Sequence, residues 1–153
     1  MKSTKFYLLL SLGILANVIL QSCKKDDNPA PVPPKVQKLL YDWKIISITT
    51  PKVGQATDSS LLKGCMADDL IKFSLTGFDF QDGATKCDSS VFYYSKGNWS
   101  YNLASDSLQL GATTPSKYVS WKVVTLNDSI MQVKYTDSSN VLKKIVKTIS
   151  FKH

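Results

Sequence analysis

Residues 39–153 predict an all-β domain, an eight-stranded antiparallel up-and-down barrel. Three observations carry that expectation. Apolar residues recur with period two and almost nowhere with helical spacing. Short clusters of Gly, Asn, Asp, Ser and Thr separate most of the runs. A stretch of 115 residues is large enough to bury its own core. Short turns force antiparallel neighbours, and an eight-stranded meander is most economically satisfied by closing on itself, which removes both sheet edges. A sandwich of two sheets is the alternative.

The strands follow in order. Trp43–Thr50 is a β-rich run that ends at Pro51. Residues 70–75 place Ile71, Phe73 and Leu75 opposite Lys72 and Ser74, and after Thr76-Gly77 the pair Phe78 and Phe80 alternates with Asp79 and Gln81 up to Asp82-Gly83. Trp99 and Tyr101 alternate with Asn98, Ser100 and Asn102, and Ala104-Ser105-Asp106 turns into Leu108 and Leu110. Val119, Trp121 and Val123 face away from Ser120 and Lys122; a Leu126–Ser129 turn then introduces Met131, Val133 and Tyr135. Asp137-Ser138-Ser139-Asn140 precedes the last strand, where Val141, Ile145, Ile149 and Phe151 oppose Lys144, Thr148 and Ser150. Two connections are longer, 51–69 and 83–95. In the first, Asp58-Ser59-Ser60-Leu61-Leu62-Lys63 suits one helical turn capped by Asp58 or Ser59.

The N-terminal 38 residues are of another kind. Lys2 and Lys5 precede an apolar stretch, Phe6–Leu20, interrupted by Ser11, Gly13 and Asn17. At fifteen residues it is short of the ~20 that span a bilayer and fits the h-region of a cleaved export signal. Leu20-Gln21-Ser22-Cys23 resembles the bacterial lipobox, which implies a signal peptide over 1–22 and acyl chains (palmitate among them) on Cys23. Cys23-Lys24-Lys25-Asp26-Asp27 resembles the lipoprotein export signal of the Bacteroidetes, which implies the outer membrane and its outward face, the periplasmic face being the alternative. Four of the six prolines lie in residues 28–38, so 23–38 is expected to be a semi-extended tether. At ~3.1 Å per residue, Lys24–Lys38 would hold a domain about 45 Å from the membrane.

Composition narrows the partners. All 19 basic residues are lysine, all 12 acidic residues are aspartate, and His153 is the sole histidine. Without Lys2 and Lys5 the net charge falls from +7 to +5. The lysines are dispersed and there is no arginine for bidentate phosphate or base recognition, so nucleic acid is not expected as a partner. The membrane, through Cys23, is.

Cys65 and Cys87 are an even pair in an exported chain, for which a disulfide is the default. Closing the 23-residue segment between them stabilises by about 3.4 kcal/mol on the loop-entropy model and pins the two long connections together. No histidine or second thiol pair accompanies them as a metal site would require. The series Cys65-Met66-Ala67-Asp68-Asp69-Leu70-Ile71-Lys72-Phe73, Gly77, Asp82-Gly83-Ala84-Thr85-Lys86-Cys87-Asp88 and Gly97-Asn98-Trp99, with Trp43 in the first strand, resembles the lipocalin-like domain of Bacteroidetes lipoproteins. The resemblance covers most of 39–153. It implies an eight-stranded barrel and brings no established ligand or reaction.

Catalytic chemistry finds little to work with. His153 is terminal and expected to fray. Asp68 and Asp69 could be read as an acid pair, but as strand neighbours they point to opposite faces and do not share one site. Asp79, Asp82 and Asp88 around Gly83 lack the spacing of a calcium loop. No enzyme, cofactor or metal is expected. Asp106-Ser107-Leu108 and Asp128-Ser129-Ile130 resemble the acceptor motif for O-glycosylation in the Bacteroidetes, at Ser107 and Ser129. The aromatic set Trp43, Phe73, Phe80, Trp99, Tyr101, Trp121 and Tyr135 either fills the barrel or lines a cavity for a small apolar or amphipathic ligand, with 51–69 as its lid. The expected role is therefore a surface-anchored binding protein. The alternative is a solid-cored interaction module for a surface protein, as accessory to a complex or inhibitor of an external enzyme.

Overall fold

The computed structural model describes residues 30–52, 54–55, 57–87, 95–112, 117–137 and 144–153. The chain divides into two compact units, Met1–Pro31 and Val32–His153; Cys23, Asp88, Ser138, Ser139, Asn140 and Val141 lie outside the described residues.

The second unit is a closed antiparallel barrel. Its eight strands are β1 (Asp42–Thr50), β3 (Leu70–Ser74), β4 (Gly77–Gln81), β5 (Lys96–Asn102), β6 (Ser107–Ala112), β7 (Lys117–Leu126), β8 (Ile130–Asp137) and β9 (Ile145–Lys152), with a two-residue strand β2 (Ser59–Ser60) beside β1. Closure is made by β1 and β9, paired from Lys44↔Lys152 to Thr49↔Thr148. That pairing excludes the sandwich, which leaves its sheets open.

Alternation dictates the core. Trp43, Ile45 and Ile48 on β1, Ile71 and Phe73 on β3, Phe78 and Phe80 on β4, and Leu108 and Leu110 on β6 point inward and are buried. So are Trp121 and Val123 on β7, Met131, Val133 and Tyr135 on β8, and Ile149 and Phe151 on β9. On β1 and β7 the inward set survives a change of parity because each strand has a register shift, at Ile45/Ser47 and Val123/Thr125. A bulge inserts one residue and realigns the faces, leaving Ile46 and Val124 exposed. Leu75, expected on the inner face, instead occupies the two-residue β3–β4 turn and is 70% exposed; the turn, not the alternation, sets its direction.

Two local expectations are corrected. The 51–69 connection does hold a helical turn, but as a 3-10 turn at Gly64–Met66. Ser59 and Ser60 pair with Thr50 and Thr49 instead, and Asp58 accepts a bond from the Thr49 hydroxyl at 3.3 Å. Serines favour backbone partners over helix interiors, and the free edge of β1 supplies them. The proline-rich segment does not stay extended to Lys38. Pro34–Gln37 form a one-turn helix, α1, with a proline in its first turn, where the missing N–H costs nothing; the compact unit accordingly begins at Val32.

Candidate functional site at the open mouth of the barrel

The two ends of the barrel differ. At one end the strands are joined by Leu75-Thr76, by 103–106 and by 127–129, and the chain enters there through α1. This end is sealed. Leu39 is fully buried, and the Trp43 indole N–H donates to its carbonyl at 3.1 Å. Lys35 pairs with Asp106 at 2.5 Å and Lys38 with Asp128 at 3.0 Å. Asp106 also accepts from the Tyr101 hydroxyl at 2.9 Å. Its carboxyl is held below the usual carboxylate range, first by the Lys35 bond and then by the Tyr101 bond. Asp106 takes a left-handed conformation, φ +48°, which a short polar residue tolerates better than most. His153 is not frayed: its N–H donates to the Ser129 carbonyl at 3.0 Å and its ring lies edge-on to Tyr41 at 4.2 Å.

The other end carries the connections 51–69, 82–95, 113–116 and 138–144. One side of its rim is locked. Cys65 and Cys87 form a disulfide with Cα atoms 5.5 Å apart, and Met66 packs into the core together with the half-buried Leu62, Cys65 and Cys87. Asp68 and Asp69 precede β3 instead of belonging to it, so they are free to converge, and they do. The Gly83 N–H donates to Asp69 at 2.9 Å, and the N–H groups of Ala84 and Thr85 donate to Asp68 at 2.7 and 3.4 Å. A β-carbon on Gly83 would fall 2.0 Å from the Asp68 carboxyl carbon, so a larger residue there would displace that carboxylate from its present position. Asp69 is 5% exposed. Burial pushes its carboxyl up, the Gly83 bond opposes that, and the charges of Asp82 and Asp68 add to the rise. These aspartates fasten the 83–85 loop to the start of β3.

Opposite that lock the inner wall stays in contact with solvent. Val119 and Ile145 occupy inward positions yet are only half-buried. Asp137 shares the parity of Met131, Val133 and Tyr135, and Lys147 that of Ile149 and Phe151, so both point into the barrel. Lys147 lies directly across from Tyr135, and Asp137 from Ile145. Lys147 Nζ donates to Asp137 Oδ2 at 2.6 Å and sits 5.9 Å from the centre of the Tyr135 ring. Below them Trp121 lies 6.3 Å from Tyr135 and stacks on Phe151 at 6.0 Å. At this end a half-buried charged pair thus stands on the inner wall beside a buried aromatic layer.

The aromatic set is divided by this geometry. Trp43, Phe73, Phe80, Trp121 and Tyr135 are buried in one continuous cluster, whereas Trp99 and Tyr101 are half-buried against it. Trp99 closes the gap beside Phe73, ring centres 5.7 Å apart, and donates to the Ser74 carbonyl at 2.8 Å. Tyr101 serves the sealed end. Sequence reasoning missed Asp137 and Lys147, although parity within their strands carried the signal. Of the two serines in acceptor motifs, Ser129 is exposed in a turn, while Ser107 shares a hydrogen bond with Ser120 at 3.0 Å. Among the described residues no group of three or more His, Cys or Asp side chains is placed to hold a metal ion. No protein-family model matches the chain, and a search of curated proteins returns no match.

Proposed function

We propose that the barrel is a non-enzymatic binding module that takes a small amphipathic molecule at its open mouth. The observation that carries this reading is the asymmetry of the interior. One end is sealed by Leu39, Trp43 and the α1 clasp. The other leaves Val119, Ile145 and the Asp137–Lys147 pair half-buried on the inner wall. Because Trp121, Phe151, Met131 and Val133 already pack the interior below, the ligand lies across the mouth and does not descend the axis. Titration with a neutral naphthylamine fluorophore tests the reading. Binding is expected, and Val119→Trp, which enlarges a half-buried residue packed against the core, should weaken it at least ten-fold in protein whose circular dichroism spectrum matches the wild type. Absence of binding to the wild-type protein overturns the reading.

The same proposal places the domain at a membrane surface. The lipobox-like Leu20–Cys23 and the Lys24–Asp27 segment support acylation at Cys23 and display on the outer face of the outer membrane. Metabolic labelling with palmitate should mark the wild-type protein and not Cys23→Ser, and protease added to intact cells should release the barrel.

A second reading, docking of a surface protein, is favoured by the outer wall. Lys44 faces Lys152 across β1–β9, and Lys122 faces Lys134 across β7–β8. Like charges placed directly opposite each other destabilise a sheet, and an acidic partner would offset that cost. Crosslinking in intact cells that depends on these four lysines and survives Val119→Trp would favour it over the mouth.

A further inference from the structure

We propose that the sealed end of the barrel is a docking face for an anionic bilayer surface, which leaves the open end turned to the medium. The inference rests on the reading of Cys23 as a lipid anchor and specifies which face of the barrel that anchor brings down.

Exposed apolar side chains mark this end. Leu75 stands at the β3–β4 turn and Leu103 at the β5–β6 turn, 70% and 50% exposed. Tyr41, where the chain passes from α1 into β1, is 36% exposed. Single apolar side chains on a surface need no explanation, and Ile46 and Val124 have one in the register shifts that turn them outward. The two leucines answer to no such shift. Each occupies a turn, where polar residues and glycine are the rule, and both turns lie at the end through which the chain enters. Leucine buries readily at the boundary of head groups and acyl chains, and tyrosine is enriched at that depth.

Charge at this end has the sign that anionic lipids select. Its aspartates are already engaged: Asp106 by Lys35, Asp128 by Lys38 and Asp42 by Lys72. Lys44 and Lys152, which face each other across β1 and β9, make no ion pair among the described residues, and neither does Lys122. Lys122 Nζ donates instead to the Ser105 carbonyl at 2.6 Å, which puts an ammonium group against the turn that carries Leu103. Apolar side chains flanked by lysines suit an interface of this kind, the former entering between lipids and the latter meeting phosphates.

An acidic protein could also meet these lysines; reach favours the bilayer. Helix α1 is held against the sealed end by Lys35 and Lys38, and the compact unit begins at Val32. Cys23 precedes Val32 by nine residues. A chain extends by at most ~3.6 Å per residue, so an acylated Cys23 keeps Val32 within about 32 Å of the anchor. Turning the open end to the bilayer would lift Val32 by about the length of a strand, roughly 27 Å for eight residues, and would use up nearly all of that reach. Resting on the sealed end uses almost none.

The experiment places a nitroxide at Leu75→Cys, Leu103→Cys or, at the opposite end, Tyr118→Cys, a position 66% exposed. Of the three cysteines of the chain, Cys65 and Cys87 are joined and Cys23 is acylated on this reading, so the introduced thiol is the one that reacts. The full acylated protein is reconstituted into vesicles of phosphatidylcholine with a quarter phosphatidylglycerol, and collisions with oxygen and with a water-soluble nickel chelate are measured. The oxygen-to-nickel ratio is expected to be at least five-fold higher at 75 and 103 than at 118, and Lys44→Ser with Lys122→Ser and Lys152→Ser should reduce that contrast at least two-fold. Two independent reporters keep the test open should one variant fail to fold. Equal ratios at the three sites, or a higher one at 118, overturn the docking face while leaving the anchor in place. A contrast indifferent to the lysine substitutions overturns the part given to charge. Wild-type protein that carries no acyl chain and does not float with the vesicles overturns the anchor reading itself.

Discussion

Asp68 and Asp69 are neighbours with the same side chain, and their environments give them opposite energetics. Asp68 accepts two backbone N–H groups from the 83–85 loop; Asp68→Ala removes that acceptor and should cost about 1–2 kcal/mol, read as a lower midpoint in urea. Asp69 is nearly buried, and its carboxyl is raised by burial above its ordinary value. A group whose folded value is raised favours the fold while protonated, so its contribution is complete below the unfolded carboxylate value and is lost as pH rises through the folded one. Asp69→Asn keeps an acceptor for the Gly83 N–H and removes the charge beside Asp68 and Asp82. It should leave stability at neutral pH equal or higher, and flatten the loss of stability as pH rises above the acid range. Thermal melts from pH 3 to 8 check this; a variant less stable than the parent at pH 7 would show that the charge is needed. Neither role was legible in the sequence. Adjacent aspartates before a strand read as alternating faces, and only the loop they fasten, fourteen or more residues away, brings them to one side.

The strands themselves were legible because burial on one face imposes period two, and every barrel strand shows it in residues such as Trp121/Val123 or Met131/Val133/Tyr135. Elements that answer to a neighbour instead of to their own pattern were not. Strand β2 forms because the end of β1 offers a free edge to two serines. Helix α1 forms within a proline-rich stretch because Lys35 and Lys38 find Asp106 and Asp128 on the sealed end. The inward turn of Lys147 was hidden for a related reason: a lysine is expected to face solvent, yet its parity with Ile149 decides otherwise. The α1 clasp yields a pH dependence of opposite sign to that of Asp69. Asp106 is held below its ordinary range, chiefly by Lys35 and then by Tyr101. Its contribution is therefore present above the unfolded carboxylate value and lost as pH falls through the lowered folded one. Acidification should undock α1 before the barrel melts. Fluorescence should report it, since the Trp43 indole is bonded to Leu39 at the base of that segment; Lys35→Met should abolish the early acid transition.

Closure sets how the whole barrel opens. Strands β8 and β9 pair at eight successive positions, from Ile130↔Lys152 to Asp137↔Ile145, whereas among the described residues β4 and β5 pair at Phe78↔Gly97 and Asp79↔Lys96, with one further backbone bond from the Phe80 N–H to the Ser95 carbonyl. Gly77 runs so close to its neighbour that a β-carbon there would lie 2.5 Å from the Gly97 carbonyl oxygen. The side chain of Trp99, bonded to Ser74, bridges the span that the backbone leaves open. A barrel yields where its ladder is shortest, because local opening exposes the fewest buried groups there. The Cys65–Cys87 bond fastens the upper part of the same flank, linking the approach to β3 with the exit from β4. Cys65→Ser with Cys87→Ser should lower stability by about 2–4 kcal/mol, and the loss should not be spread evenly. Amides of β4 and β5 should exchange faster by ten-fold or more under native conditions, while those of β8 and β9, opposite the break and carrying the Asp137–Lys147 pair, keep their protection. Uniform acceleration across all eight strands would mean that the barrel opens only as a unit and that the β4–β5 junction is no weaker than the rest.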